Sequence, residues 1–182
     1  MKVLIPPGKS GNVLATIAIG EQYLQPFMKY AYHTWEMYCR RHDLGLILFD
    51  DHLISKSDQN WKNPYWQKFL IGDYLSNQKL GIRSVCCLDT DILISPLAPN
   101  IFENRDGTKV GLVSKRRNLP FEHQSILRRM AFLRNRFYDS SYPLDSSLFI
   151  SLEDLYEVAG MPAQVDDACS GCLLYTSPSP RD

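Results

Sequence analysis

Short apolar runs alternate along this chain with longer segments in which apolar residues recur every three or four positions. Mainly apolar runs of six to twelve residues predict buried strands, and the recurring pattern predicts amphipathic helices. The predicted strands are 12–19 (NVLATIAI), 46–51, 84–95 (SVCCLDTDILIS) and 109–115. The predicted helices are 21–44, 64–80 and 122–138. Strands that alternate with crossover helices favour a mostly parallel sheet with helices on both faces, so the expected class is α/β.

Each predicted helix has apolar positions that should pack on the sheet. In the first they are Leu24, Phe27, Met28, Ala31, Trp35 and Tyr38; in the second, Trp66, Phe69, Leu70, Tyr74 and Leu75; in the third, Ile126, Met130, Leu133 and Phe137. Asn63-Pro64 predicts the start of the second helix, because asparagine caps helix N-termini and proline suits the first helical position. Gly45 and Gly81 are expected to end the first two helices.

Composition narrows the classes of function. The 182 residues are 45% hydrophobic, which suits one domain with a core, and 20 basic side chains balance 20 acidic ones. Zero net charge argues against a nucleic-acid-binding protein. No apolar stretch approaches the roughly 20 residues of a membrane span, and the first residues do not resemble a secretory signal. The expected location is therefore cytoplasmic. The five cysteines are interpreted as buried hydrophobes in a reducing compartment, and no histidine is assigned a role.

Two aspartates interrupt the apolar run 84–95, and they carry the main chemical signal. On an extended strand Asp89 and Asp91 would leave the same face. Two carboxylates this close repel each other unless a cation lies beside them. Hard oxygen ligands suit Mg²⁺ or Mn²⁺, which often complete their coordination with substrate phosphates. The pattern predicts a metal-bound diphosphate at the carboxyl end of this strand.

With its strand 12–19, its helix start NPYWQKFLI (63–71) and its segment CCLDTDILISPLAPNIFE (86–103), the chain resembles GT-A glycosyltransferases of the nucleotide-diphospho-sugar transferase superfamily. The resemblance, which centres on the DxD motif, implies a Rossmann-like GT-A fold and a metal-dependent transfer of sugar from a nucleoside diphosphate to a glycan, lipid or protein acceptor. It implies metal contacts for Asp89 and Asp91, and donor contacts for Asp89 and Lys68. It also places the nucleotide base near the first strand, at Ala15, Thr16 and Ile17.

Three other interpretations remain open. LDTDILI also resembles the first motif of haloacid-dehalogenase phosphatases, although it lies far from the start of the chain. The chain could be a non-catalytic relative that binds a carbohydrate or a protein through the aromatics of QNWKNPYW (59–66). The two aspartates could also simply cap a strand end. The basic residues between 115 and 136 are interpreted as a solvated surface.

The last residues follow no structural pattern. Residues 172–182 (CLLYTSPSPRD) resemble the translation of a transposon-end adapter used in sequencing libraries. We therefore predict that the native reading frame is cut near Gly171. On this interpretation residues 1–171 are an incomplete, C-terminally truncated GT-A nucleotide-sugar-binding domain that is inactive alone, and residues 172–182 are a non-native tail. The catalytic base and a third metal ligand would belong to the missing part.

Overall fold

A computed structural model describes residues 1–103, 109–114, 122–137, 156–162 and 168–176 of the chain. By backbone proximity the chain divides into two compact units. The first comprises Met1–Leu112 with Gly171–Asp182, and the second comprises Val113–Ser170. The first unit holds most of the described sheet and everything discussed below as a site. In the second unit the main described element is one long helix.

Within the described residues, six strands form one sheet in the order β1-β3-β2-β4-β6-β5. The strands are β1 (Lys2–Ile5), β2 (Asn12–Ile17), β3 (Gly45–Phe49), β4 (Ser84–Leu88), β5 (Gly111–Ser114) and β6 (Ala168–Thr176). The three central strands are parallel: β2 pairs with β3 on one side and with β4 on the other. β1 pairs antiparallel with β3, and β6 pairs antiparallel with β4. The predicted α/β class is confirmed, with a parallel centre and antiparallel neighbours.

A helical segment after β2 covers one face of the sheet. It consists of α1 (Glu21–Pro26), one π turn (Phe27–Ala31) and α2 (Tyr32–Arg41). Four residues of its predicted face, Phe27, Ala31, Trp35 and Tyr38, are buried. Met28 is exposed, so its predicted burial is wrong. Pro26 cannot donate a backbone hydrogen bond, and a π turn holds an extra residue, so the apolar face shifts here.

The end of that helix also differs from the prediction. Helix α2 ends at Arg41, and the chain turns at Asp43, which has a positive φ of 54°. Gly45 does not terminate the helix but is the first, buried residue of β3. A side chain there would collide with Val13 Cγ1, which would lie 2.8 Å from a Cβ.

The opposite face of the sheet is covered by the segment after Asn63. It consists of α3 (Pro64–Gln67), a 3₁₀ turn (Lys68–Leu70) and α4 (Ile71–Ser76). The predicted cap is confirmed, since the Asn63 side chain accepts a hydrogen bond from the Tyr65 amide at 3.1 Å. Leu75 is buried as predicted, but Trp66 and Phe69 are exposed. Their predicted burial is wrong because the segment is not one continuous helix, and Gln67 and Lys68 turn inward instead.

Two strands of the sheet have no counterpart in the sequence analysis, β1 and β6. β1 begins at Lys2, and both the Met1 amine and the Lys2 ammonium contact Asp50, at 3.3 and 2.7 Å. β6 includes residues 172–176 of the predicted tail. Pairing of that backbone with β4 does not test where its codons came from, so both the tail and the domain division stay predictions.

Strand β5 and helix α5 (His123–Phe137) confirm the last two predicted elements. The predicted apolar face of α5, at Ile126, Met130, Leu133 and Phe137, falls on side chains outside the described part. Cys39, Cys86 and Cys87 are buried, as their interpretation as hydrophobes requires. No helix in the described ranges combines the length and the apolar character that a membrane crossing needs.

Candidate functional site

The strand order determines where a ligand can bind. The chain passes from β2 to β3 on one side and then to β4 on the other, with the two connecting helical segments on opposite faces. The segments that follow β2 and β4 therefore leave the sheet toward opposite faces, and the crevice between them is the usual ligand position in open α/β sheets. A cleft of about 1180 Å³ opens at this point and is lined by residues that follow both strands.

The two aspartates lie in a turn and not on the strand. β4 ends at Leu88, and the Ile92 amide donates to the Asp89 carbonyl at 3.3 Å. The prediction that both side chains leave an extended strand is therefore wrong. Asp89 and Asp91 nevertheless both line the cleft. Because the turn carries the chain out of the sheet, neither carboxylate has to be buried between the sheet and a helix.

A buried lysine lies directly beside this turn. Lys68 is only 4% exposed, and its Nζ lies 2.8 Å from Asp89 Oδ1 and 4.5 Å from the centre of the Tyr65 ring. The Asp89 side chain keeps 42% of its surface exposed to the cleft. Asp91 is exposed, and in the described part of the chain its carboxylate has no hydrogen-bond or ion-pair partner. The turn thus presents one carboxylate that is paired with a cation and one that is open.

The structure brings together four of the six predicted site residues. Ile17, Lys68, Asp89 and Asp91 line the cleft. Ala15 and Thr16 are fully buried and are not part of its lining. The Thr16 hydroxyl donates to the Leu88 carbonyl at 2.8 Å, so it joins the ends of β2 and β4 immediately before the aspartate turn.

Three tyrosines form part of the cleft walls, and the sequence analysis did not single out two of them, Tyr23 and Tyr30. Tyr23 and Tyr30, from α1 and the π turn, line one side and are 54% and 63% exposed. Tyr65, from α3, is 54% exposed on the other side. Exposed aromatic rings on an amphipathic helix are a signal that sequence can give. The π turn that carries Tyr30 is not such a signal.

The loop between β3 and α3 supplies another wall, and Gln67 holds it. The Gln67 side chain is fully buried; it accepts from the Leu53 amide and donates to the Lys62 carbonyl, both at 2.7 Å. Its amide nitrogen is also 3.2 Å from His52 Nδ1. His52 and Trp61 both line the cleft, with their rings 6.0 Å apart. The sequence analysis assigned His52 no role, and this position gives it one in the wall.

The segment after the aspartate turn is fixed by polar side chains of α2. Trp35 Nε1 donates to the Ile92 carbonyl at 2.7 Å, and Thr34 Oγ1 accepts from the Ile94 amide at 3.1 Å. Tyr38 Oη donates to the Pro99 carbonyl at 2.8 Å. These contacts hold the backbone that follows Asp91 against α2.

One thiol in the cleft lining can be set aside as a nucleophile. Cys87 lies at the end of β4 and is 3% exposed. Burial raises the pKa of its thiol to about 12, so the sulfur stays protonated near neutral pH. A protonated thiol is a weak nucleophile and a poor metal ligand.

The donor set fits one kind of metal site. Within the described ranges, no group of three or more His, Cys, Asp or Glu side chains is placed to hold a metal ion. Two carboxylates are still enough for Mg²⁺ or Mn²⁺ when substrate phosphates complete the coordination. The residues present therefore fit a cation that is shared with a phosphorylated ligand, and they do not fit one that is held by the protein alone.

Comparisons with known proteins add little to this geometry. No protein-family model matches the chain, and no curated protein matches it. One solved structure is similar, a glycosyltransferase involved in glycosylation of the major capsid of PBCV-1, with a TM-score of 0.38 and 10% identity. The match covers 91% of this chain and 59% of that one. At that TM-score the similarity carries no argument, so a function has to be inferred from the cleft itself.

Proposed function

We propose that this chain carries the donor-binding part of a metal-dependent glycosyltransferase that uses a nucleoside-diphosphate sugar. One observation supports this most directly: Lys68, Asp89 and Asp91 meet in the cleft at the carboxyl ends of β2 and β4. A cation and two carboxylates at this position can hold a diphosphate together with a divalent metal. The acceptor, whether glycan, lipid or protein, belongs to the same proposal, as does a cytoplasmic location.

Each residue has a distinct part in this proposal. Asp91, the open carboxylate, would hold Mn²⁺ or Mg²⁺, and Asp89 would contact the metal and the ribose or donor sugar. The Lys68 ammonium would approach the diphosphate oxygens, and Ile17 at the end of β2 would lie beside the nucleoside. Ala15 and Thr16, which are buried and outside the cleft lining, would not contact the ligand but would support the end of β2. The metal would stabilise the negative charge that develops on the leaving diphosphate.

The test is calorimetric titration of UDP and GDP into the protein, with and without Mn²⁺. We expect binding that depends on Mn²⁺ and is weakened by at least about tenfold in Asp91→Asn, since the loss of even an outer-shell partner of a metal ligand typically costs about 10–100-fold in affinity. Asp73→Asn is the matched control, because Asp73 lies on α4 outside the cleft lining. Binding of equal strength without metal, or binding unchanged in Asp91→Asn, would contradict the proposal.

A second candidate function is supported by the exposed aromatics. Tyr65, Trp66 and Phe69 keep 54%, 58% and 40% of their surface exposed, and the Trp66 and Phe69 rings stack with centres 6.1 Å apart. Such a surface suits a non-catalytic protein that binds a carbohydrate or a protein partner. Glycan-array binding in the presence of EDTA, with no hydrolysis of any nucleotide sugar, would favour it. Phosphate release from p-nitrophenyl phosphate would favour the phosphatase alternative instead.

A further inference from the structure

Lys68 is an unusual neighbour for a metal site because it is itself a cation. Its side chain is almost fully buried, and its Nζ lies 2.8 Å from Asp89 Oδ1. The alkyl part of the side chain is enclosed, so the ammonium cannot move into bulk water without rearrangement. Together, the carboxylates of Asp89 and Asp91 and the ammonium of Lys68 carry one net negative charge.

That arrangement has two consequences for a divalent ion. The ammonium already occupies one oxygen of Asp89, and its positive charge repels any second cation that approaches the same carboxylate. A diphosphate changes the balance, because it gives Lys68 a further anionic partner and supplies oxygens to the metal. The metal then meets a site with more negative charge and more ligands than before.

We propose that Lys68 makes the binding of metal and of diphosphate mutually dependent: it weakens the metal site when no diphosphate is present and strengthens it when one is. The inference deepens the proposed function and depends on it for the identity of the natural ligand. Because coupling between two ligands is reciprocal, the metal must tighten diphosphate binding by the same factor by which diphosphate tightens metal binding.

The experiment measures Mn²⁺ binding to the protein by equilibrium dialysis, with and without inorganic pyrophosphate, as the excess of Mn²⁺ on the protein side. Pyrophosphate and its Mn²⁺ complex pass the membrane, so Mn²⁺ that pyrophosphate chelates in solution is not counted. The variants are Lys68→Met, which keeps the length and apolar packing of the side chain, and Lys68→Arg, which keeps the charge. Lys79→Met is the control, because Lys79 is exposed and outside the cleft lining. A thermal melt of each variant establishes that it is folded.

In the wild-type chain we expect weak Mn²⁺ binding, and we expect pyrophosphate to raise the affinity of the protein for Mn²⁺. In Lys68→Met, Mn²⁺ alone should bind about tenfold tighter, because the repulsion between the ammonium and Mn²⁺ is removed. The expected gain is no larger because solvent and salt screen charges at a partly exposed site. Pyrophosphate should bind this variant more weakly, so the coupling shrinks. Lys68→Arg and Lys79→Met should retain the wild-type coupling.

Three results would overturn the inference: Mn²⁺ affinity unchanged or weaker in Lys68→Met, no Mn²⁺ binding by any variant, or coupling in Lys68→Met as large as in the wild type. If Lys68→Met does not fold, the test uses the wild-type chain and Lys68→Arg. The inference is then refuted if pyrophosphate does not change the Mn²⁺ affinity of either protein. Failure of the proposed function gives a different result. In that case UDP and GDP would not bind, while Lys68 would still control the affinity of Mn²⁺.

Discussion

At the scale of single residues, the two aspartates are compatible with an apolar strand because the strand ends before them. β4 stops at Leu88, and Asp89 and Asp91 belong to a turn that opens into the cleft. The desolvation that would disfavour two buried carboxylates is therefore avoided. The backbone at Leu88, where the turn begins, is held by a hydrogen bond that the Thr16 hydroxyl donates to the Leu88 carbonyl.

Thr16→Val tests whether this residue supports the site or contacts the ligand. Valine fills nearly the same volume but leaves the buried Leu88 carbonyl without its hydroxyl donor. We expect the free energy of unfolding in urea to fall by about 1–3 kcal/mol, the cost of an unsatisfied buried polar group. UDP affinity of the folded variant should stay within about threefold of wild type, because Thr16 is not part of the cleft lining. A much larger loss of affinity with unchanged stability would indicate direct contact.

Asp50 gives a prediction about pH. Hydrogen bonds from Lys2 and the N-terminal amine lower the pKa of the Asp50 carboxyl in the folded chain. A lowered folded pKa stabilises the fold above the unfolded pKa, and this contribution is lost as the pH falls through the folded value. The urea midpoint should therefore fall between about pH 5 and pH 3, and fall less in Asp50→Asn. Equal losses in the two proteins would show that Asp50 makes no such contribution.

At the scale of elements, apolar periodicity predicted which segments are helices and strands, and it was least accurate where a helix changes type. The π turn exposes Met28, and the 3₁₀ turn exposes Phe69 while turning Lys68 inward. Periodicity assumes one helical repeat throughout, so it cannot anticipate either rotation. β1 was missed because it is short and lies at the edge of the sheet, with a polar first residue.

The N-terminal cap of α3 was predicted and is confirmed, and its contribution to stability can be measured separately. Asn63→Ala removes the acceptor of the Tyr65 amide at a helix that continues into the turn carrying Lys68. We expect a loss of about 1 kcal/mol of stability in urea unfolding, typical for an N-cap. Asn63→Asp keeps a capping oxygen and should retain most of that stability. Equal destabilisation by both substitutions would mean that the amide group has another role.

At the scale of the whole molecule, the sequence analysis predicted the α/β class, while the strand order came only from the structure. The order places β2 between β3 and β4, and that arrangement creates the crevice beside Asp89 and Asp91. Pairing between strands depends on contacts between residues far apart in sequence, which local patterns do not encode. For the same reason Tyr30 and His52 could not be assigned to the cleft in advance, and Trp61 was named only as one of the aromatics of segment 59–66.

The cleft between the ends of β2 and β4 is where we expect a metal–diphosphate to bind. The most direct test adds Mn²⁺ with UDP to ¹⁵N-labelled protein and records paramagnetic broadening of backbone amide signals. We predict selective loss of signals around the cleft, including Ile17, Lys68 and Asp91, with signals at the opposite, amino ends of β2 and β4, such as Gly11 and Gly81, much less affected. Asp91→Asn should abolish the effect. Broadening centred elsewhere, or signals at the cleft that survive saturating Mn²⁺ and UDP, would contradict binding at this position.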